Sequence, residues 1–119
     1  MKSEDYVKNC WTIAENIKAK DGVIINLQGF TIIADYFLIV TVNNDRHAQS
    51  VVNAIVDETK GIKRKAVSRD GKGGSGWIVL DMSDVIIHVF TAKIRERYAL
   101  EDLWKQCPIL LDERGMSDD

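Results

Sequence analysis

Residues 77–90 constrain the fold most tightly. Trp77 to Met82 and Val85 to Phe90 are two runs of aliphatic and aromatic residues, interrupted at Ser83-Asp84 or at a loop two residues longer that takes in Asp81 and Met82. Side chains alternate faces along a strand, and both registers preserve the same parity. Trp77, Val79, Ile86, His88 and Phe90 therefore share one face of a hairpin, and Ile78, Leu80, Val85, Ile87 and Val89 share the other. The second set is uniformly aliphatic and makes the better core. Trp77 and His88, on the first face, are expected to form an aromatic and polar surface for a partner.

The flanking segments supply cover for such a sheet. Residues 3–20 have the spacing of an amphipathic helix, with Tyr6, Cys10, Ile13 and Ile17 on one stripe, Ser3 as a cap and Asp21-Gly22 as a left-handed exit. Val23–Leu27 and Tyr36–Val42 are expected strands. Asn43, Asn44 or Asp45 caps a second helix whose apolar face is Ala48, Val51, Val52, Ile55 and Thr59, ending at Lys60-Gly61. A further strand around Arg64–Val67, an exposed glycine-rich loop over 69–76 and a last helix from Ala92 to Trp104, capped by Thr91 and stopped at Cys107-Pro108, complete the order. In that last helix Leu103 and Trp104 are expected in the core, and Tyr98 and Leu100 nearer the surface. The expected architecture is α/β: a single domain with a mixed sheet flanked by helices, comprising residues 1–108 and followed by an acidic, flexible tail over 109–119.

Composition narrows the function. Sixteen basic against 18 acidic residues leave a net charge of −2, which offers no general attraction to a phosphate backbone, so strong direct nucleic-acid binding is not expected. Lys63, Arg64 and Lys65 fit a solvated edge strand. Cys10 and Cys107 lack metal or disulfide spacing, and no run approaches the roughly 18 apolar residues of a membrane span. A reduced, cytoplasmic protein without membrane contact is expected. Asp81 and Asp84, downstream of Gly73-Gly74-Ser75, superficially suggest a metal-binding carboxylate pair beside a phosphate loop. Their spacing is Asp-x-x-Asp across a turn, whereas two strand carboxylates converge on a cation only at alternate positions. They are read as turn residues, with no catalytic residue, metal or cofactor implied.

Trp77-Ile78-Val79-Leu80-Asp81, Asp84-Val85-Ile86-Ile87-His88-Val89-Phe90, then Arg95, Tyr98, Leu100-Glu101 and Leu103-Trp104, together resemble the ribosome silencing factor family, also called Iojap-related proteins. The likeness extends back through Asp35-Tyr36-Phe37-Leu38-Ile39-Val40-Thr41 to the opening helix. It implies a nucleotidyltransferase-like fold without the catalytic residues, and a protein that binds the large ribosomal subunit through large-subunit ribosomal protein fourteen, sterically blocking the small subunit. It also implies a homodimer. Carried over by residue, the partner surface comprises Trp77, His88, Arg95, Tyr98, Leu100 and Glu101, with Arg95 and Glu101 as rim charges. The alternatives are a nucleotidyltransferase-like enzyme and a large-subunit assembly factor.

Overall fold

The computed structural model describes residues 2–59, 68–70 and 75–114. The basic cluster at 63–65, the strand expected over 64–67, residues 71–74 of the glycine-rich loop and the last five residues lie outside them; the first two positions of that loop, 69 and 70, belong to a strand. The elements in chain order are α1 (Ser3–Asn16), β1 (Lys20–Asn26), β2 (Tyr36–Val42), α2 (Asp45–Thr59), β3 (Ser68–Asp70), β4 (Trp77–Asp81), β5 (Val85–Thr91), α3 (Ala92–Tyr98), α4 (Leu100–Leu103) and β6 (Ile109–Asp112).

Among the described residues, six strands form one mixed sheet in the order β3-β4-β5-β2-β1-β6. Of these only β2 and β5 pair in parallel, with α2, β3 and β4 on the connection between them, and β2 at the centre is buried along its whole length. The hairpin has Trp77 opposite Phe90 and Asp81 opposite Ile86, and the Met82 N–H donates to the Val85 carbonyl at 2.8 Å. The shorter loop, Ser83-Asp84, is thus the one used. Ser83 takes the positive φ, 78°, that the first position of a mirror-image hairpin turn demands.

Parity divides the core as expected. Ile78, Leu80, Val85, Ile87 and Val89 join Leu38, Val40, Val42 and Ile24 beneath α1 and α2. The other face carries Val23, Ile25, Phe37, Ile39 and Phe90, with Ile94, Leu100 and Trp104 from the C-terminal helices packed on part of it. One sheet face is therefore fully roofed and the other only partly.

Three local differences from the sequence reading have physical causes. First, α1 stops at Asn16, because Lys18 adopts a left-handed φ of 71° and the Ala19 N–H reaches back to the Ala14 carbonyl at 3.1 Å, a Schellman closure built without glycine. Ser3 does not cap this helix; its hydroxyl donates toward Asp84 (2.5 Å) and Asp35 (3.1 Å). Second, the last helix breaks at Ala99, whose φ is 21°, and the four-residue α4 turns Leu103 outward to 76% exposure instead of into the core. Third, the expected flexible tail begins too early at 109. Ile109–Asp112 is a strand on the outer edge of β1, where Ile24 and Ile25 would otherwise leave a ladder unpaired. At the second helix the expectation holds: the Asn44 side-chain carbonyl accepts the His47 N–H at 2.8 Å.

Candidate functional site

The partly roofed face carries a row of aromatic rings. Phe37 lies between Trp104 (ring centroids 5.7 Å) and His88 (4.8 Å), both edge to face. Trp77, from the neighbouring strand, meets Phe90 at 4.8 Å, Tyr98 at 5.0 Å and His88 at 6.0 Å. Strand register produces this row. Trp77 stands opposite Phe90, and His88 stands between Val79 and Ile39 on its two neighbouring strands. Aromatic contacts of this geometry contribute about 0.5–1.5 kcal/mol each beyond area burial, so Trp77 is held as a rigid plate.

His88 sits behind that plate. The Trp77 indole Nε1–H donates to His88 Nδ1 at 3.3 Å, which places the imidazole proton on Nε2. Nε2 is buried and has no partner among the described residues. Burial pushes the His88 pKa down to about 4, with Glu101 acting weakly in the opposite sense, so the ring is neutral and remains an acceptor for Trp77.

Arg95 and Glu101 are inside, not at a rim. Each is 8% exposed. Arg95 Nε and Nη2 both donate to Glu101 Oε2, at 2.8 and 2.5 Å, while Nη1 donates to Thr41 Oγ1 at 3.0 Å and to the Asp21 carbonyl. A single guanidinium thus ties α3 and α4 to β2 and to the start of β1. Burial is the reason for the difference from the rim role. The break at Ala99 separates α4 from α3 and accompanies the approach of Glu101 to Arg95, and a charged pair taken out of water must satisfy its donors internally.

Of the six residues singled out from sequence, Tyr98 is exposed, Trp77 and Leu100 are half-buried, and His88, Arg95 and Glu101 are buried supports beneath them. Val79 and Ile86, half-buried on the same face, extend the open strip. Phe37 and Trp104 brace the row. Their part depends on the parallel β2–β5 pairing, which no local sequence signal announces. The hairpin parity did signal Val79 and Ile86.

Asp81 and Asp84 do not converge. Asp81 Oδ1 accepts the Ser83 N–H at 2.8 Å within the turn, and Asp84 Oδ2 accepts from Ser3. No cluster of three or more potential metal ligands occurs among the described residues, and no helix there is long and apolar enough to cross a membrane.

These features define an α/β protein whose most distinctive surface is a braced aromatic strip on an incompletely covered sheet. The whole chain, residues 1–119, matches the model of the family described as ribosomal silencing factor during starvation, RsfS, and the chain belongs to that family. It is 30% identical over 119 residues to the ribosomal silencing factor RsfS of Bacillus subtilis, covering 98% of this chain and 99% of that one. Over 89 residues it is 30% identical to the mouse protein named mitochondrial assembly of ribosomal large subunit protein 1, covering 72% of this chain and 39% of that one. A crystal structure from Chromobacterium violaceum has the same fold, with a TM-score of 0.83 and 24% identity over 88% of each chain.

Proposed function

We propose that this protein silences translation by docking on the large ribosomal subunit through large-subunit ribosomal protein fourteen and occupying surface that the small subunit needs. The observation that carries the reading is the Trp77 plate. It is held by Phe90, Tyr98 and His88, stands partly open to solvent, and packs against the same buried cluster as the half-buried Leu100. A rigid aromatic beside an apolar plug is the usual centre of a protein interface. Trp77, Tyr98 and Leu100 make the contact, and His88, Arg95 and Glu101 set its shape from below. Family membership supports a ribosomal partner.

The mechanism is occupation, without catalysis, cofactor or metal. Asp81 and Asp84 are used in turn and helix contacts, which supports this part of the reading. Metal-dependent nucleotide transfer that disappears in Asp81→Asn would overturn it. The protein acts in the cytoplasm as a homodimer, and one protomer suffices to cover the partner. A second reading, large-subunit assembly, is favoured by the name of the mouse relative and uses the same surface. The test is sedimentation of the purified protein with isolated large and small subunits. The reading requires comigration with the large subunit alone, and comigration with neither overturns it.

A further inference from the structure

The connection between β1 and β2 displays large apolar side chains that the core does not use. Leu27 and Ala34 are buried in the second core cluster and pin its two ends. Between them Phe30 is 50% exposed, Ile33 59% and Ile32 fully exposed. This is an ordered presentation. The Phe30 and Thr31 N–H groups both donate to the Leu27 carbonyl (2.9 and 3.2 Å), the Ile33 N–H donates to Thr31 Oγ1 (3.2 Å), and Gly29 supplies a turn at φ 87°. Three of the six exposed large hydrophobic side chains among the described residues thus fall within four consecutive positions of one ordered loop, and a cluster of that kind marks an interaction site.

The charges around this lip choose the occupant. Asp35 ends the loop, and its N–H donates to the Asp84 carbonyl at 2.8 Å, which sets the β4–β5 turn with Asp81 and Asp84 beside it. The Ser3 hydroxyl joins Asp35 and Asp84, bringing the first turn of α1, with Glu4 and Asp5, to the same end. Lys8 offsets Glu4 at 3.1 Å, and Lys2 stands at the N-terminal cap of the same helix. Among the described residues the carboxylates gathered here (Glu4, Asp5, Asp35, Asp81 and Asp84) outnumber Lys2 and Lys8; the Tyr36 phenol is raised above its ordinary value by burial first, and then by Glu4 and Asp35 against the pull of Lys8. Anionic lipid and RNA phosphate would be repelled. A second copy docking lip to lip would oppose the same acids across a two-fold axis.

We infer that the Phe30–Ile33 lip is a second docking surface, which takes an apolar side chain flanked by lysines or arginines on a basic ribosomal protein. Apolar burial supplies adhesion, and the acidic fringe supplies selection and encounter rate. The inference rests on the ribosome-docking reading and adds a contact remote from Trp77: the lip adjoins the turn end of the β4–β5 hairpin, and Trp77 stands at the opposite end of β4.

The test places the photoreactive residue p-benzoylphenylalanine at Ile32, irradiates the protein with purified large subunits, and identifies the adduct by mass spectrometry. The expected product is a cross-link to a basic large-subunit protein. In parallel, an Ile32→Ser, Ile33→Ser variant, shown folded by circular dichroism, should bind large subunits about tenfold more weakly. Comigration with the large subunit, together with a cross-link only to RNA, to a second copy or to nothing, overturns the lip and leaves the docking reading intact. Unchanged affinity in the double variant overturns it equally. Failure of the parent to comigrate overturns both.

Discussion

Replacing Arg95 by Met tests the internal scaffold. The substitution keeps most of the aliphatic stem but removes the guanidinium that serves Glu101, Thr41 and the Asp21 carbonyl together. Glu101 would be left as a carboxylate 8% exposed without its counter-ion. Breaking a buried pair from one side typically costs about 3–5 kcal/mol, which is a large share of the roughly 5–15 kcal/mol that stabilises a domain of this size. A loss of that size lowers Tm by about 10–20 °C. The penalty belongs mostly to the orphaned charge, so Arg95→Met combined with Glu101→Leu should recover a good part of it. The assay is urea denaturation of the parent, both single variants and the double variant, read as a coupling energy. A cost below about 1 kcal/mol for Arg95→Met, or strictly additive effects, would refute the account of Arg95 as the tie between α3, α4, β1 and β2.

His88 provides a pH test. Its folded pKa of about 4 lies below the ordinary 6.5, so the unfolded chain binds the proton first and stability falls as pH drops from 6.5 towards 4. The loss amounts to about 3 kcal/mol, and urea midpoints at pH 7 and 4.5 should converge in His88→Gln. Gly76→Ala should destabilise by about 1–3 kcal/mol, because the new Cβ would lie 2.7 Å from Ile94 and 2.8 Å from Thr91 at a φ of 77°; a thermal melt matching the parent would contradict this. Light scattering at micromolar concentration should give the mass of a dimer, and a monomer mass would remove the homodimer from the proposal without touching the surface.

The strand parity of residues 77–90 is legible in the sequence because alternation is local: it alone separates Ile78, Leu80, Val85, Ile87 and Val89 from Trp77 and His88. The faces of α1 and α2 were legible for the same reason, since helical spacing records burial. What escaped depends on long-range geometry. Arg95 and Glu101 look like surface charges in a sequence, and only the break at Ala99 and the approach of Asp21, 74 positions away, turn them inward. The same break exposes Leu103. Ile109-Leu110-Leu111 is short and lies next to polar residues, so its identity as β6 depends on the unpaired edge of β1, not on its own pattern. Ile32 and Ile33 lie between the two strand-like runs without a spacing that assigns them a face, and only the fold turns them outward.

The most direct measurement of the central claim combines large-subunit sedimentation with a subunit-joining assay, comparing the parent with the Trp77→Ala, Leu100→Ala variant. Truncating an anchor of this kind costs about 2–4 kcal/mol, or roughly 30- to 1,000-fold in affinity. The account predicts that the parent sediments with large subunits and blocks joining, and that the variant, folded by circular dichroism, does neither. A folded variant that still cosediments and still blocks joining as the parent does would contradict it.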